Sequence, residues 1–307
     1  MSAVMALTAC GQTLAPLPGS QALQAPSAIA GGAQAALLYV SHTETVGGHQ
    51  DPGVAVFTYP QGKRAGNIDL PGYPGGVCSD ASGNVWVTDE RSQGVPYAEE
   101  FPHGQRHPVL RLRLPHGTFQ ASCAVDRTSG DLAVTSQTST YAGKVLVWAG
   151  AHKGIPAVYR VPFAPTGAAY DDAGNLFIDG VPGGSDFWLL LGELAKGEKK
   201  VNRISLDVRG DSAGGLQWDG AYLAVATSTR AGGRIFRISV SGHSGHVADQ
   251  VRLTHLNRHA RFDIIDGVVV AQANSGRRIG IWAYPSGNER PQIIAFENFI
   301  NGLTISK

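Results

Sequence analysis

A six-bladed β-propeller, all-β with four-stranded antiparallel blades, is the fold class this sequence predicts. Three observations predict it: a glycine-rich composition, an aspartate-and-turn motif that returns at a near-constant interval, and a length that divides into six such intervals. The chain has 307 residues, of which 40 are glycine and two are methionine. Glycine at nearly twice its usual share, set among valine, threonine and aromatic residues, favours strands and tight turns over a helical bundle or coiled coil. Lys plus Arg, 25, nearly balances Asp plus Glu, 24. No run of about 18 apolar residues is present, so neither a spanning helix nor phosphate-driven nucleic-acid binding is expected.

Taken in chain order, residues 1–10 read as a truncated signal. Leu7-Thr8-Ala9-Cys10 resembles the bacterial lipobox, and the resemblance implies export to the periplasm or cell envelope with a lipid on Cys10. A basic leader and a longer apolar core, which a full signal requires, are missing from this stretch. Residues 11–34 are rich in Ala, Pro, Gly, Ser and Gln and carry no charge. Such a composition buries no core and reads as a flexible tether. The folded body is therefore residues 35–307.

Within that body one element is an aspartate, a short glycine-containing turn and an alternating strand. It occurs at Asp80-Ala81-Ser82-Gly83-Asn84-Val85-Trp86-Val87, from Asp126 to Val134, and at Asp171-Asp172-Ala173-Gly174-Asn175-Leu176-Phe177-Ile178, with weaker copies at Asp219 and Asp266. The first aspartates are about 45 to 48 residues apart. Aspartate can accept bonds from the turn's backbone and glycine or asparagine can take the left-handed conformation, so each copy reads as a hairpin. The second element is an alternating strand ending at a proline or glycine turn, as in Val54-Ala55-Val56-Phe57-Thr58-Tyr59-Pro60 and Ile279-Gly280-Ile281-Trp282-Ala283-Tyr284-Pro285. Six four-stranded units of about 45 residues need about 270, which the body supplies. Leu37-Leu38-Tyr39-Val40 begins directly with a second-type strand, so Asn301-Gly302-Leu303-Thr304-Ile305-Ser306 is expected to pair with it and close the ring.

Pro165-Thr166-Gly167-Ala168-Ala169-Tyr170-Asp171-Asp172-Ala173-Gly174-Asn175-Leu176-Phe177-Ile178 resembles an NHL-type repeat. This unit is shared by six-bladed propellers related in shape to the SMP-30/gluconolactonase and strictosidine-synthase-like proteins. The resemblance implies the fold far more than any activity. Trp86, Phe177, Trp148, Trp282 and Phe57 recur at equivalent strand positions and are expected to pack between blades. Cys78 and Cys123 fall at similar places in successive repeats. Export would permit a disulfide between them, and a pair of buried thiols is the other reading.

A site is expected where loops between second and third strands and between blades surround one mouth of the central channel. That rim carries Glu44, Asp89, Arg230, Asn274, Arg277 and Asn301. Acids gather on the first two blades and arginines on the last two, an asymmetry that could orient an anionic or sugar-like ligand, although scattered surface charge gives the same pattern. Resemblance to metal-dependent lactonases would imply one divalent ion, Ca²⁺ by preference, with Asn301 and Asp263 as ligands and Arg261 or His259 polarising or deprotonating the substrate. The other ligands of that set have no counterparts here. His103 and His107 stand four apart at a turn, where helical convergence on zinc is absent. No nucleophile elbow, phosphate loop or dinucleotide fingerprint occurs. The expected function is a ligand-binding or protein-interaction scaffold at the envelope, with no cofactor, no nucleic acid and membrane contact through lipid alone. The alternative is a metal-dependent lactonase, hydrolase or lyase.

Overall fold

The computed structural model describes residues 35–46, 49–90, 95–115, 119–183, 188–229, 232–274, 276–287, 290–296 and 298–307. The expected signal, tether and Cys10 lie outside the described residues. Among the described residues, twenty-four strands and one 3₁₀ turn (Ala149–Ala151) make up the regular structure.

Sheet 1 holds β1 (Leu37–Val46), β2 (His49–Thr58) and β3 (Arg64–Asp69). Sheet 2 is β4 (Tyr73–Ser79), β5 (Val85–Glu90), β6 (Tyr97–Phe101) and β7 (Leu110–Arg113), and sheet 3 is β8 (Phe119–Val125), β9 (Leu132–Gln137), β10 (Gly143–Trp148) and β11 (Ala157–Val161). Sheet 4 has eight strands in two antiparallel halves. The first half is β12 (Ala164–Tyr170), β13 (Leu176–Val181), β14 (Leu190–Leu194) and β15 (Asn202–Leu206). The second is β16 (Leu216–Trp218), β17 (Leu223–Thr229), β18 (Gly232–Ser241) and β19 (Ser244–Arg252). The halves meet where β15 and β19 pair in parallel. Sheet 5 is β20 (Phe262–Ile265), β21 (Val268–Ala273), β22 (Arg278–Ala283) and β23 (Gln292–Ala295). The last strand, β24 (Phe299–Ser306), returns to pair with β1, from Leu37 opposite Ser306 to Thr43 opposite Phe299. This is the closure that the missing first strand of the amino-terminal unit requires.

The inner strands form a closed circuit. β24 lies beside β4, then β8, β12, β16 and β20 follow, and β20 lies beside β24. Close approach demands small residues here. A Cβ on Gly76 would come within 2.5 Å of the Ser122 Cα on the next inner strand. Two residues further along, Cys78 and Cys123 form a disulfide that ties β4 to β8. Four inner strands share one irregularity. The pairing register slips at Gly75-Gly76 on β4, Ala121 on β8, Thr166 on β12 and Asn301 on β24. Each bulge re-aims the local backbone, and side chains of the second strand collect the carbonyls it frees: Ser41 Oγ donates to Gly75 O, Thr88 to Gly76 O and Thr135 to Ser122 O.

The apolar core lies between neighbouring sheets. Trp86 and Trp148 meet in one cluster with Leu112, Leu132 and Leu146, drawn from sheets 2 and 3. Trp282, Phe177 and Phe57 occupy three further interfaces, as their recurrence predicts. Burial of each such side chain stabilises by about 1.5–3 kcal/mol. The repeated aspartates hold the turns. Asp80 accepts from the Ser82 and Asn84 amides, and Asp171 from Ala173 and Asn175, all at 2.8–3.0 Å. Gly83 (φ 82°) and Gly174 (φ 83°) supply the left-handed residue that these turns need.

Candidate ligand cavity and the central polar network

Each sheet presents two ends to solvent. The rim face carries the inter-sheet loops and the loops after each second strand; the turn face carries the Asp-Gly turns. A cavity of about 610 Å³ among the described residues opens on the turn face, not at the expected rim. It is bounded by the carboxyl ends of the inner strands and the turns that follow them. At the rim end the inner strands approach closely, a Cβ on Gly302 coming within 3.0 Å of Gly75 O and one on Gly214 within 2.9 Å of Ala260 O.

Seven carboxylates line this cavity, Asp80, Asp126, Asp171, Asp172, Asp219, Asp263 and Asp266, against three bases, Arg127, Arg237 and Lys307. Most of the acids are committed to structure. Arg237 donates to Asp219 at 2.7 Å and stacks 4.5 Å from the Tyr222 ring centroid, and the Tyr284 hydroxyl donates to the same carboxylate. Burial alone would raise the Asp219 pKa, but these bonds outweigh it and hold the group below its ordinary value. Lys307 donates to Asp266. Asp172 is exposed and accepts from the Trp218 indole at 2.9 Å. Arg127, also exposed, has no hydrogen-bonded partner among the described residues. The sequence marked these turns as scaffolding, so Arg127, Asp172 and Trp218 were not seen as a wall. The doubled Asp171-Asp172 and the Arg directly after Asp126 were the available signals.

The expected metal ligands do not converge. Asn301, at the rim end of β24, donates through Nδ2 to Thr43 Oγ1 (2.8 Å) and Pro74 O (2.9 Å). Asp263 accepts from Thr304 Oγ1 (3.1 Å) and the Ile305 amide (2.8 Å), three and four residues further along the same strand. That places the two side chains roughly 10 Å apart along the strand, whereas Ca²⁺ ligands sit about 2.3–2.6 Å from one ion. Burial raises the Asp263 pKa, opposed by the bonds from Ile305 and Thr304. No cluster of three or more His, Cys, Asp or Glu suited to a metal is found among the described residues.

Arg261 is a cross-brace. Its Nη1 donates to Thr166 O at 2.5 Å and Gly214 O at 2.6 Å, joining β20 to β12 and to the approach to β16. Burial lowers its pKa, while the Asp179 carboxylate raises it. Asp179 is fully buried at the rim end of β13, where burial pushes its pKa up to about 6 against the opposing pull of Arg261 and the Thr166 hydroxyl. His259 is exposed, its amide donating to Asn257 Oδ1. Asp89 is buried opposite Pro74. Asn274 and Arg277 are exposed on the loop after β21. Arg230 and the Glu44 side chain lie outside the described residues. The expected rim set therefore divides into frame members and separate surface groups. His103 also serves the frame, bonding Ser306 Oγ at 2.6 Å and Ala35 O at 3.1 Å.

No protein-family model matches the sequence. No curated protein matches it either. Solved structures do resemble the fold. TolB from Acinetobacter baumannii aligns with a TM-score of 0.60 at 13% identity, over 91% of this chain and 68% of that one. A Bacteroides caccae protein of unknown function aligns at 0.60 and 9%, over 89% and 100%. A 6-phosphogluconolactonase-like protein from Bacteroides fragilis aligns at 0.54 and 11%, over 89% and 99%. The chain has a propeller-type fold. At such identities these likenesses show the fold alone, and the propeller scaffold hosts unrelated functions.

Proposed function

We propose that this chain is a six-bladed, NHL-like propeller, sheet 4 being two blades joined at their outer edges, and that it works as a non-catalytic binding scaffold. One observation carries the reading. The groups that a lactonase-type mechanism would use, Arg261, Asp263 and Asn301, are bonded into the frame between inner strands, while the ligand-sized concavity lies at the other end of the channel. A volume of about 610 Å³ suits a small molecule. The excess of carboxylates, with Trp218 as an aromatic wall, favours a small, polar, positively charged ligand.

We place the protein at the bacterial cell envelope, anchored by lipid on Cys10. The lipobox-like Leu7-Thr8-Ala9-Cys10 and the uncharged tether support this. The Cys78–Cys123 disulfide adds to it, because such bonds persist in oxidising compartments.

Melting curves of the purified chain with glucosamine or putrescine, set against Asp172→Asn and Arg127→Glu variants, test the reading. The expected result is a concentration-dependent rise in Tm that Asp172→Asn reduces. If neither probe shifts Tm, while Ca²⁺ raises it and confers lactone hydrolysis that Asn301→Ala abolishes, the scaffold reading fails.

A further inference from the structure

Among the described residues the three most exposed large apolar side chains, Ile155 (99%), Val109 (66%) and Val158 (55%), stand on the outer margins of the neighbouring sheets 2 and 3. Residues 107–111 on the sheet 2 side and Lys153 on the sheet 3 side enclose a groove of about 440 Å³ there. Its floor is the approach to β7, the edge strand of sheet 2. The groove's own lining is one-sided in charge, holding His107, Arg111 and Lys153 and no acid, while Glu99 and Glu100 stand behind it on β6, opposite Arg111 and Leu110. Neither His107-Pro108-Val109-Leu110-Arg111-Leu112-Arg113 nor His152-Lys153-Gly154-Ile155-Pro156-Ala157-Val158-Tyr159-Arg160 contains an acid. Arg111 is partly committed to the buried Glu99, at 2.6 Å. Lys153 is exposed and has no ion pair among the described residues.

The same chain shows how such a gap is filled. In sheet 4, the turn between β18 and β19 lies against the outer edge of β15 and pairs with it in parallel. The Ser205 amide donates to His243 O (2.8 Å) and the Asp207 amide to Gly245 O (3.3 Å). The corresponding connection of sheet 3, residues 149–156, brings Lys153 over the groove but has no strand pairing with β7 among the described residues. Basic residues also blunt an edge against unwanted pairing, but protection does not call for an exposed Val109 in the groove or a fully exposed Ile155 two residues after Lys153. Edge strands take up extended peptides through main-chain bonds, with side-chain contacts setting the choice of partner.

We propose that this groove docks an extended, acidic segment of a partner protein, which adds as a strand to the edge of β7, setting apolar side chains against Val109 and carboxylates against Lys153. The surface is separate from the turn-face cavity, so the failure of either reading leaves the other standing.

The test uses the full chain and a fluorescein-labelled peptide of alternating valine and glutamate, followed by anisotropy at low salt. Saturable binding is expected, weakened by about tenfold or more in Lys153→Glu and in the neutral Val109→Ser. Both positions are exposed, so both variants should melt with the wild type. The same peptide methylated on alternate backbone nitrogens should not bind, because strand addition needs those donors. Arg277→Glu, on the rim, should leave binding unchanged. Absence of saturable binding overturns the proposal. So does equal binding of the methylated peptide or of polyphosphate, which would make the contact one of charge alone. A concentration-dependent dimer that Val109→Ser dissolves would assign the groove to a second copy of the chain and overturn it as well.

Discussion

Asp179 and Arg261 are each other's counter-charge near the axis of the ring, although 82 positions separate them in the chain. Burial disfavours the charged form of both. The arginine is held by the Thr166 and Gly214 carbonyls. The aspartate has one oxygen bonded to the Thr166 hydroxyl at 2.9 Å and the other buried without a hydrogen-bond partner. Arg261, a candidate catalytic group in the sequence, braces the inner strands in the fold.

Asp179 should make stability fall as pH rises through its titration. Its folded pKa, about 6, lies above the ordinary 3.8, so the folded state holds a proton that the unfolded state has lost between those values. The cost accumulates from about pH 4 to pH 6 and stays above it, on the order of 2–3 kcal/mol. Asp179→Asn should remove this pH-dependent component, although it also takes from the buried Arg261 its counter-charge. Urea denaturation of both proteins at pH 4.5 and 7 reads the difference, and equal pH dependence in the two would contradict it.

Arg261→Met should destabilise by about 2–4 kcal/mol, because it strands two carbonyls and leaves Asp179 without its counter-charge. The double variant Arg261→Met/Asp179→Asn should recover part of the loss. A double-mutant cycle in urea measures the coupling, and simple additivity would show that the two residues act separately.

Reduction of Cys78–Cys123 should lower stability by about 2–5 kcal/mol without changing the fold. The bridge spans 45 positions and ties two adjacent inner strands, β4 and β8. Thermal melts with and without reductant, and of the Cys78→Ser/Cys123→Ser variant, check this. An unchanged Tm would mean that packing at Gly76 and Ser122 already holds the strands.

Removal of residues 299–307 should abolish cooperative unfolding, whereas removal of Lys307 alone should cost little. β24 is the inner strand of sheet 1, and it carries Leu303 and Ile305 into the interface with sheet 5. Its end is also fixed, since the Ser306 hydroxyl donates to Gly83 O. Circular dichroism during heating distinguishes the outcomes.

Much of this architecture is legible along the chain because its determinants are local and repeated. The aspartate turns need only an acceptor two to four residues from its donors, and Asp80 and Asp171 satisfy their own hairpins in that way. The pairing of β24 with β1 follows from a count of strands, and the Trp86 and Trp148 positions from alternation. Other features depend on distances that no local pattern contains. Asn301 and Asp263 look like neighbours in a ligand set, but their bonds run to different ends of β24. The cavity on the turn face is lined from six different inner strands and the turns after them, a convergence that no single repeat displays. The parallel contact of β15 with β19, and the open groove beside β7 where its counterpart is missing, come from the way outer edges meet around the ring. Periodicity and turn chemistry act over a few residues and set the sheets; their arrangement about the axis decides which charged groups brace the frame and which remain exposed.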